Sequence, residues 1–320
     1  MVCRVGVIYG EEALLYSFPP PHPFRSDRVE RFYRDVLGKF IEEYREKLVL
    51  VKPEFPLEDE LLLYHDRDYV EYVKKKSESG YGYLDYGDTP AFKGCYEASL
   101  YVVGSTLKLI KKILSKEIIH GFNPVGGLHH ARRDGAAGFC IFNDIGVAIS
   151  YLLGVVKFKQ ILYVDIDAHH GDGVFYDFYY DKNVIIVDIH QDGRTLYPGT
   201  GFRHETGGGE AVGTKLNIPL PPGAGDGEFI EAWDEALSFI DKFSPDFIIL
   251  QAGADGLKED PLTGLRYSEK VHEIVTSSLH KLSEEKCEGR LLVLGGGGYN
   301  RDNIVKAWFK VLYNLLNLSR

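Results

Sequence analysis

Cysteine and basic charge are both scarce in this chain, and each shortage excludes a class of protein. The four cysteines are scattered and form no Cys-x-x-Cys pair, which argues against a disulfide framework, a zinc finger or a thioredoxin-like site. Lysine and arginine total 37 against 47 aspartates and glutamates, a net charge of −10. Because phosphate contacts need a basic face, we expect no direct nucleic-acid binding, whereas a basic substrate remains compatible.

Long apolar runs and linkers are missing as well. No stretch approaches the 18 apolar residues of a membrane span, so we expect a protein of the cytoplasm without a membrane partner. The composition, 44% hydrophobic and 26% charged, is that of an ordinary globular protein. With neither a Pro/Ser-rich linker nor an internal repeat, residues 1–320 are predicted to form a single domain. The sequence does not indicate the oligomeric state.

Short apolar segments alternate with amphipathic ones along the chain. The apolar segments are typical of buried parallel strands and cover residues 5–9, 161–166, 184–189, 247–250 and 291–294. The amphipathic segments predict helices over residues 27–44, 92–115, 143–156, 227–243, 268–286 and 302–317. This alternation predicts an α/β protein with a doubly wound parallel sheet, whose ligands gather at the carboxyl ends of the strands.

Acidic residues and histidines follow the predicted strand 161–166. Alternate strand residues face the same way, so Asp167 and His169 can supply two ligands to one divalent metal. Asp255, at the end of another strand, can supply a third. Three protein ligands with an open position are the pattern of a catalytic metal site. The alternative is a set of solvated hydrogen bonds, which the density of carboxylates and imidazoles disfavours.

Two tandem histidines, His129 and His130, follow a pair of glycines. Five of the eleven histidines fall between residues 129 and 190. Two histidines near a metal suggest proton transfer to and from water. Each needs a carboxylate to fix its tautomer, and Asp165 and Asp172 are available for this purpose.

A tetraglycine, residues 295–298, precedes Tyr299. The glycines let the backbone pass close to a ligand, and the phenol can then donate a hydrogen bond to a developing oxyanion. The alternative is a flexible turn. A phosphate-binding loop is excluded because its Lys-Ser/Thr ending is absent.

Six motifs follow one another along the chain: GGLHHA (126–131), GFCIFND (138–144), DIDAHHGDG (165–173), YPGTG (197–201), GAD (253–255) and GGGGYN (295–300). Together they resemble the histone deacetylase family of the arginase/deacetylase superfamily. Two further segments, LDYGDTP (84–90) and DPLT (260–263), resemble its prokaryotic acetoin-utilisation-type members. The resemblance implies a single α/β domain around an eight-stranded parallel sheet flanked by helices.

The resemblance also implies a role for each matching residue. The metal ligands would be Asp167, His169 and Asp255. His129 would be the base, backed by Asp165, and His130 would protonate the departing amine, backed by Asp172. Tyr299 would polarise the carbonyl. The substrate-binding residues would be Asp88 as the rim carboxylate, Gly138 at the lip of the tunnel, Phe139 and Tyr197 as its two walls, and Leu262 near its mouth. Arg28 would line the channel through which the product leaves.

The implied cofactor is one divalent metal. Two carboxylates and one imidazole favour Zn²⁺, with Fe²⁺ as the alternative. The resemblance further implies a monovalent cation, K⁺ or Na⁺, near Asp165, Asp167 and Asp188. Many family members have serine at the position of Asp188. The Asp188 carboxylate therefore adds a negative charge, which a cation or a basic partner must offset unless the side chain turns away and hydrogen-bonds to the backbone. Two further departures are Tyr197 in place of phenylalanine and Leu128 in place of a tryptophan common in animal enzymes.

The implied activity is metal-dependent deacetylation of acetyl-lysine or a similar acylated amine. An acetylpolyamine or other small-amide amidohydrolase would share every catalytic residue and remains the alternative. A two-metal arginase-like enzyme would need a second Asp-x-Asp, but Gly256 and Leu257 follow Asp255. A non-enzymatic acyl-lysine reader would not need Tyr299 and His130, and both are present.

Overall fold

The computed structural model describes residues 4–318, and its centre is one sheet of eight parallel strands. In chain order the strands are β1 (Val5–Ile8), β2 (Leu48–Val51), β3 (His120–Asn123), β4 (Ile161–Asp165), β5 (Val184–Gln191), β6 (Lys215–Leu220), β7 (Phe247–Gln251) and β8 (Leu291–Leu294). Across the sheet they run β2-β1-β3-β8-β7-β4-β5-β6. The expected single-domain α/β fold with eight parallel strands is confirmed.

Helices cover the sheet between the strands. Within residues 4–318 they are α1 (Asp27–Phe32), α2 (Gly38–Glu43), α3 (Glu58–Leu61), α4 (Arg67–Ser79), α5 (Cys95–Leu114), α6 (Asp144–Gly154), α7 (Asp172–Asp177), α8 (Asp226–Ile240), α9 (Lys270–Lys286) and α10 (Arg301–Leu318). A π-helical segment, Tyr33–Leu37, joins α1 to α2. None of these helices is long and apolar enough to cross a membrane.

Burial explains why the central strands form. Every residue of the six inner strands is buried, whereas the two edge strands, β2 and β6, each include residues that are not. This is the pattern of a parallel sheet covered on both faces, in which continuous apolar runs replace alternation. Pro219, which cannot donate to a ladder, lies in the edge strand β6, where that loss is tolerated.

Three strands and three helices are absent from the sequence prediction. Strand β3 begins and ends with polar residues, β6 contains a lysine, an asparagine and a proline, and β2 has only four apolar residues. Their strand conformation comes from pairing with neighbours that a periodicity argument does not see. The short helices α3 and α7 and the longer α4 were likewise not predicted, and the predicted helix 27–44 is interrupted by the π-helical segment.

The strand order brings the polar chain segments together. Strands β3, β8, β7, β4 and β5 are consecutive neighbours at the middle of the sheet. Each is followed by one of the polar, glycine-rich segments noted in the sequence, and parallel strands end at the same edge. The fold therefore collects five such segments around one point.

A buried histidine pair lies at the other end of β3. The Nε2 atom of His120 is 2.9 Å from Nδ1 of His280 on α9. Burial and the neighbouring His280 lower the pKa of His120 to about 3. A histidine of the unfolded chain has a pKa near 6.5, so below that pH the unfolded state binds a proton that the folded state does not.

We therefore predict an acid-sensitive contribution from His120. Stability from this residue is fully present above about pH 6.5 and is lost as the pH falls toward 3, by up to about 1.4 kcal/mol per pH unit. Between pH 7.5 and 5, the free energy of unfolding of His120→Asn should fall by less than that of the wild type, as measured by urea denaturation. The exposed His204→Asn is the control. Equal losses in wild type and His120→Asn would contradict the prediction.

Candidate active site and metal centre

Three ligand atoms converge where β4 and β7 end. Nδ1 of His169 lies 3.1 Å from Oδ1 of Asp167 and 2.9 Å from Oδ2 of Asp255. One ligand atom from each of these residues lies within 4.8 Å of the others, and all three residues are buried. Among residues 4–318 this is the one group of its kind.

The residues present fit a divalent cation. Burial and the Asp167 carboxylate raise the pKa of Asp255 to about 7, since two carboxylates share one buried space. The remaining oxygens are already held: Asp167 Oδ2 accepts from Gln251 Nε2 and Gly297 N, each at 2.8 Å, and Asp255 Oδ1 accepts from Ala168 N at 2.8 Å. This leaves two carboxylate oxygens and an imidazole nitrogen facing one another, a donor set that suits Zn²⁺ or Fe²⁺.

His129 is oriented by a carboxylate from β4. Its Nδ1 donates to Asp165 Oδ2 over 2.8 Å. The same oxygen accepts from the Tyr163 hydroxyl, and Asp165 Oδ1 accepts from the Asp167 backbone N–H at 3.0 Å. With the proton held on Nδ1, the Nε2 lone pair of His129 is left for other chemistry.

His130 forms a second dyad of the same kind. Its Nδ1 donates to Asp172 Oδ1 over 2.7 Å, and the Nε2 atoms of His129 and His130 lie 3.1 Å apart. Burial and the neighbouring His129 lower the pKa of His130 to about 4. Burial also disfavours charge on His129, but the Asp165 and Asp167 carboxylates outweigh it and raise its pKa to about 9. The two rings therefore differ in proton affinity although they are neighbours.

A buried aspartate at the start of α6 holds the loop that carries both histidines. One oxygen of Asp144 accepts from the backbone N–H groups of Gly127 and Leu128, at 3.0 and 2.9 Å. The other accepts from the Thr106 hydroxyl at 2.7 Å. The loop therefore has a fixed position without any regular secondary structure of its own.

Tyr299 and Arg28 lie together beside the three candidate metal ligands. The Arg28 guanidinium is buried and donates to the carbonyls of Gly296 and Gly298, each at 2.6 Å. Tyr299 is held from the other side, where its backbone N–H donates to Asp260 Oδ2 at 2.7 Å. Burial raises the pKa of the Tyr299 phenol well above its usual value, so it stays protonated and can donate a hydrogen bond.

The expected tunnel residues surround the approach to this group. The Phe139 ring lies 5.9 Å from the Tyr299 ring, and the Tyr197 ring lies 5.1 Å from His130. Gly138 has φ +53°, and a Cβ there would overlap the His130 ring. Leu262 is exposed, and Asp260 Oδ1 accepts from its backbone N–H at 3.0 Å.

The rim carboxylate Asp88 is half-buried. Burial and the neighbouring Asp85 carboxylate raise its pKa to about 6. Asp85 itself accepts from three successive backbone N–H groups, those of residues 87–89, which fixes the loop. The structure thus brings every predicted site residue to one region, with Arg28 behind Tyr299.

Asp188 has a basic partner that the sequence did not indicate. It lies beside Asp165 in the register of β4 and β5, fully buried. Its Oδ1 accepts from His190 Nδ1 at 2.6 Å and its Oδ2 from Gly171 N at 2.9 Å. Burial raises the pKa of Asp188, but His190 outweighs it and lowers the pKa below its usual value. The lysine and the arginine nearest to Asp188 in the sequence, Lys182 and Arg194, pair with Glu210 and Asp192 instead.

Sequence reasoning missed residues that hold the predicted site residues in place. Gln251 ends β7 and donates to Asp167, while Asp144 and His190 anchor the histidine loop and Asp188. A weak signal existed for each, because Gln251 and His190 are polar residues at strand ends and Asp144 lies within the GFCIFND motif.

Comparisons with known proteins agree with this geometry. A histone deacetylase domain model matches residues 22–315. The acetoin utilization protein AcuC of Bacillus subtilis (strain 168) is 40% identical over 95% of this chain and 80% of its own length. AcuC of Staphylococcus xylosus is 33% identical over 97% and 82%.

Solved structures give the same result for the fold. The HDA15 HD domain superposes with a TM-score of 0.90 at 30% identity, covering 98% of this chain and 88% of that chain. An HDAC homolog complexed with SAHA superposes with a TM-score of 0.85 at 32% identity, covering 98% and 84%.

We predict one tightly bound divalent ion per chain at Asp167, His169 and Asp255. Asp255→Asn removes one anionic ligand and should lower the metal content, measured by elemental analysis of the purified protein, well below that of the wild type. The control is Asp192→Asn, which alters a carboxylate that pairs with the exposed Arg194 and is not one of the three candidate ligands. Two tightly held divalent ions per chain, or full occupancy in Asp255→Asn, would contradict the prediction.

Proposed function

The chain belongs to the histone deacetylase family and is a metal-dependent deacetylase, and from this premise we propose that it removes acetyl groups from lysine side chains in the cytoplasm. The observation that carries the proposal is the meeting of the Asp167–His169–Asp255 group with two separate histidine–aspartate dyads. One dyad can accept a proton while the other donates one, which is what amide hydrolysis requires.

The metal, which we propose to be Zn²⁺ with Fe²⁺ as the alternative, would be held by Asp167, His169 and Asp255. When bound it supplies Lewis acidity toward the amide oxygen and the water, and its charge offsets the carboxylates that raise the pKa of His129. Gln251 and Gly297 N–H keep Asp167 oriented toward the shared space, since both donate to its other oxygen.

The chain's own residues move the protons. We propose that His129 accepts a proton at Nε2 from the attacking water, while Asp165 stabilises the charge through Nδ1. The Tyr299 phenol donates a hydrogen bond to the carbonyl oxygen as negative charge develops there. The proton that His129 has taken can pass to His130 Nε2, 3.1 Å away, and from there to the amide nitrogen, while Asp172 holds Nδ1. The C–N bond breaks, a C–O bond has formed, and acetate and the free amine result.

The proposed substrate is an acetyl-lysine within a peptide. The aromatic rings of Phe139 and Tyr197 would line the lysine methylenes, and Gly138, which has no Cβ, packs directly against the His130 ring. At the mouth, Leu262 and Asp88 would meet the peptide, Asp88 accepting hydrogen bonds from its backbone N–H groups. Arg28, behind Tyr299, would line the path of the departing acetate. A small acetylated polyamine would use the same centre but has no peptide backbone for Asp88.

We also propose a monovalent cation, K⁺ or Na⁺, near Asp165, Asp167 and Asp188. Oδ1 of Asp188 accepts from His190 and Oδ2 accepts from Gly171 N, and a Cβ added at Gly171 would lie 3.4 Å from Asp188 Oδ2 and 2.6 Å from Asp165 Oδ2. Oδ2 therefore faces the same space as Asp165, where the carboxylate charge should strengthen cation binding at low local dielectric. Activity should be nearly flat in added K⁺, and Asp188→Ser should introduce a dependence. Identical K⁺ titrations of the two proteins would contradict this.

Loss of the Tyr299 hydroxyl should slow the chemical step. Tyr299→Phe is expected to lower kcat by about 10²–10³, the usual cost of one oxyanion donor, with little change in KM. The measurement is steady-state deacetylation of an acetyl-lysine peptide by the metal-loaded protein. Tyr267→Phe, a buried tyrosine without a hydrogen-bonding partner among residues 4–318, is the matched control. A kcat near that of the wild type would remove Tyr299 from the mechanism.

Turnover on a panel of acetyl-lysine peptides and acetylated polyamines tests the substrate class. We expect peptides to have the higher kcat/KM. Asp88→Ala should raise KM for peptides more than for acetylated diamines, because only peptides present backbone N–H groups to the rim. Equal effects on both substrates, or none, would count against a peptide-binding rim and would favour the small-amide alternative.

A further inference from the structure

A single buried hydroxyl joins the rim carboxylate to the tunnel wall. Thr89 follows Asp88 in the chain and is fully buried. Its Oγ1 accepts from the Phe139 backbone N–H at 3.0 Å and donates to Asp88 Oδ1 at 3.0 Å. A hydroxyl has one proton to donate and lone pairs to accept with, so both hydrogen bonds can be made at once. Two positions that are 51 residues apart in sequence are thereby fixed relative to each other.

The wall residue needs this support. Phe139 has φ +67°, in the left-handed region that a residue with a bulky side chain rarely adopts. Such a conformation persists only where its surroundings hold it. Here its N–H is held by Thr89, and its carbonyl accepts from the Tyr16 hydroxyl at 2.7 Å, which in turn accepts from Ile141 N at 2.9 Å. Loss of either partner would release part of the constraint.

His22 reinforces the same connection from the N-terminal segment. Its Nδ1 accepts from Phe24 N at 3.1 Å, so the ring proton lies on Nε2, which donates to the Asp88 carbonyl at 3.1 Å. The His22 ring also meets the edge of the Phe139 ring, with centroids 4.5 Å apart. His22 therefore holds the backbone of Asp88 beside Phe139, while Thr89 orients the Asp88 carboxylate itself.

We propose that Thr89 is a positioning residue that sets the specificity of the deacetylase for peptides. It orients the Asp88 carboxylate at a fixed distance from the Phe139 wall, so that a substrate whose side chain fills the tunnel presents its backbone N–H groups to Asp88. The inference rests on the proposed function of Asp88 and Phe139. Thr89 touches no substrate in this account and acts only through those two residues.

The kinetic test removes the hydroxyl and keeps the shape. Thr89→Val should raise KM for an acetyl-lysine peptide by about tenfold, the worth of one hydrogen bond to a charged group, and leave kcat within about twofold. KM for an acetylated diamine should change little. Thr89→Ser restores the hydroxyl and should restore the peptide KM. The matched control is Thr276→Val on α9, a buried threonine whose hydroxyl has no partner among residues 4–318.

A double-mutant cycle decides whether Thr89 acts through Asp88. In the Asp88→Ala background, Thr89→Val should raise the peptide KM far less than in the wild type, because the carboxylate that it orients is already gone and only its hydrogen bond to Phe139 is lost. An additive increase, an equal effect on both substrate classes, or a failure of Thr89→Ser to restore KM would overturn the proposal.

Hydrogen exchange separates this proposal from the function on which it rests. Thr89→Val should speed amide exchange in residues 83–90 and 137–141, relative to wild type and Thr276→Val, whether or not peptides are substrates. Unchanged exchange in both segments would show that the hydroxyl does not hold the rim to the wall. Faster exchange in a protein whose wild type deacetylates no peptide would leave the link standing and overturn the proposed substrate and the specificity role.

Discussion

Concentrated negative charge in a dry place is the constraint on which the site depends. Asp165, Asp167, Asp188 and Asp255 are all essentially inaccessible to water at the ends of neighbouring strands. An unpaired buried carboxylate is so costly that it must gain a cation, accept several hydrogen bonds or take up a proton. Backbone N–H groups and Gln251 satisfy some of these oxygens, His129 and His190 pair with others, and the rest face His169. The need for a divalent cation follows from the Asp167 and Asp255 oxygens that face His169.

The same charges make the two tandem histidines unequal. Both rings donate Nδ1–H to an aspartate and both are buried, yet their pKa values are shifted in opposite directions. His129 borders Asp165 and feels Asp167, whereas His130 borders Asp172 and feels the positive charge of His129. Identical side chains therefore acquire different proton affinities from the placement of the carboxylates around them, and such a difference allows neighbouring groups to take separate roles.

The sequence predicts the centre of the site better than its surroundings. Asp167, His169 and Asp255 could be placed together because parallel strands end at one edge, and the motifs supplied the rest of the set. His190 lies two residues after Asp188 in the same strand, so alternation could have paired them. Gln251 and Asp144 could not be predicted, since they act through partners 84 and 17 residues away in the chain that only packing brings near. Likewise β3 and β6 are strands because of their neighbours in the sheet, and their own residues do not favour that conformation.

Two glycines show how closely backbone and carboxylates are packed at this centre. A Cβ at Gly297 would lie 2.5 Å from Asp255 Oδ2, and one at Gly171 would lie 2.6 Å from Asp165 Oδ2. A real Cβ cannot lie so close to another atom. The oxygens that it would meet belong to Asp255 and Asp165, which cannot move without disrupting the site. The absence of a Cβ is also what lets the N–H groups of these glycines reach Asp167 and Asp188. The glycines after β4 and β8 therefore do more than allow a turn: they bring backbone donors against buried charge, and each hydrogen bond favours the ionised form of Asp167 or Asp188 in a space that excludes water.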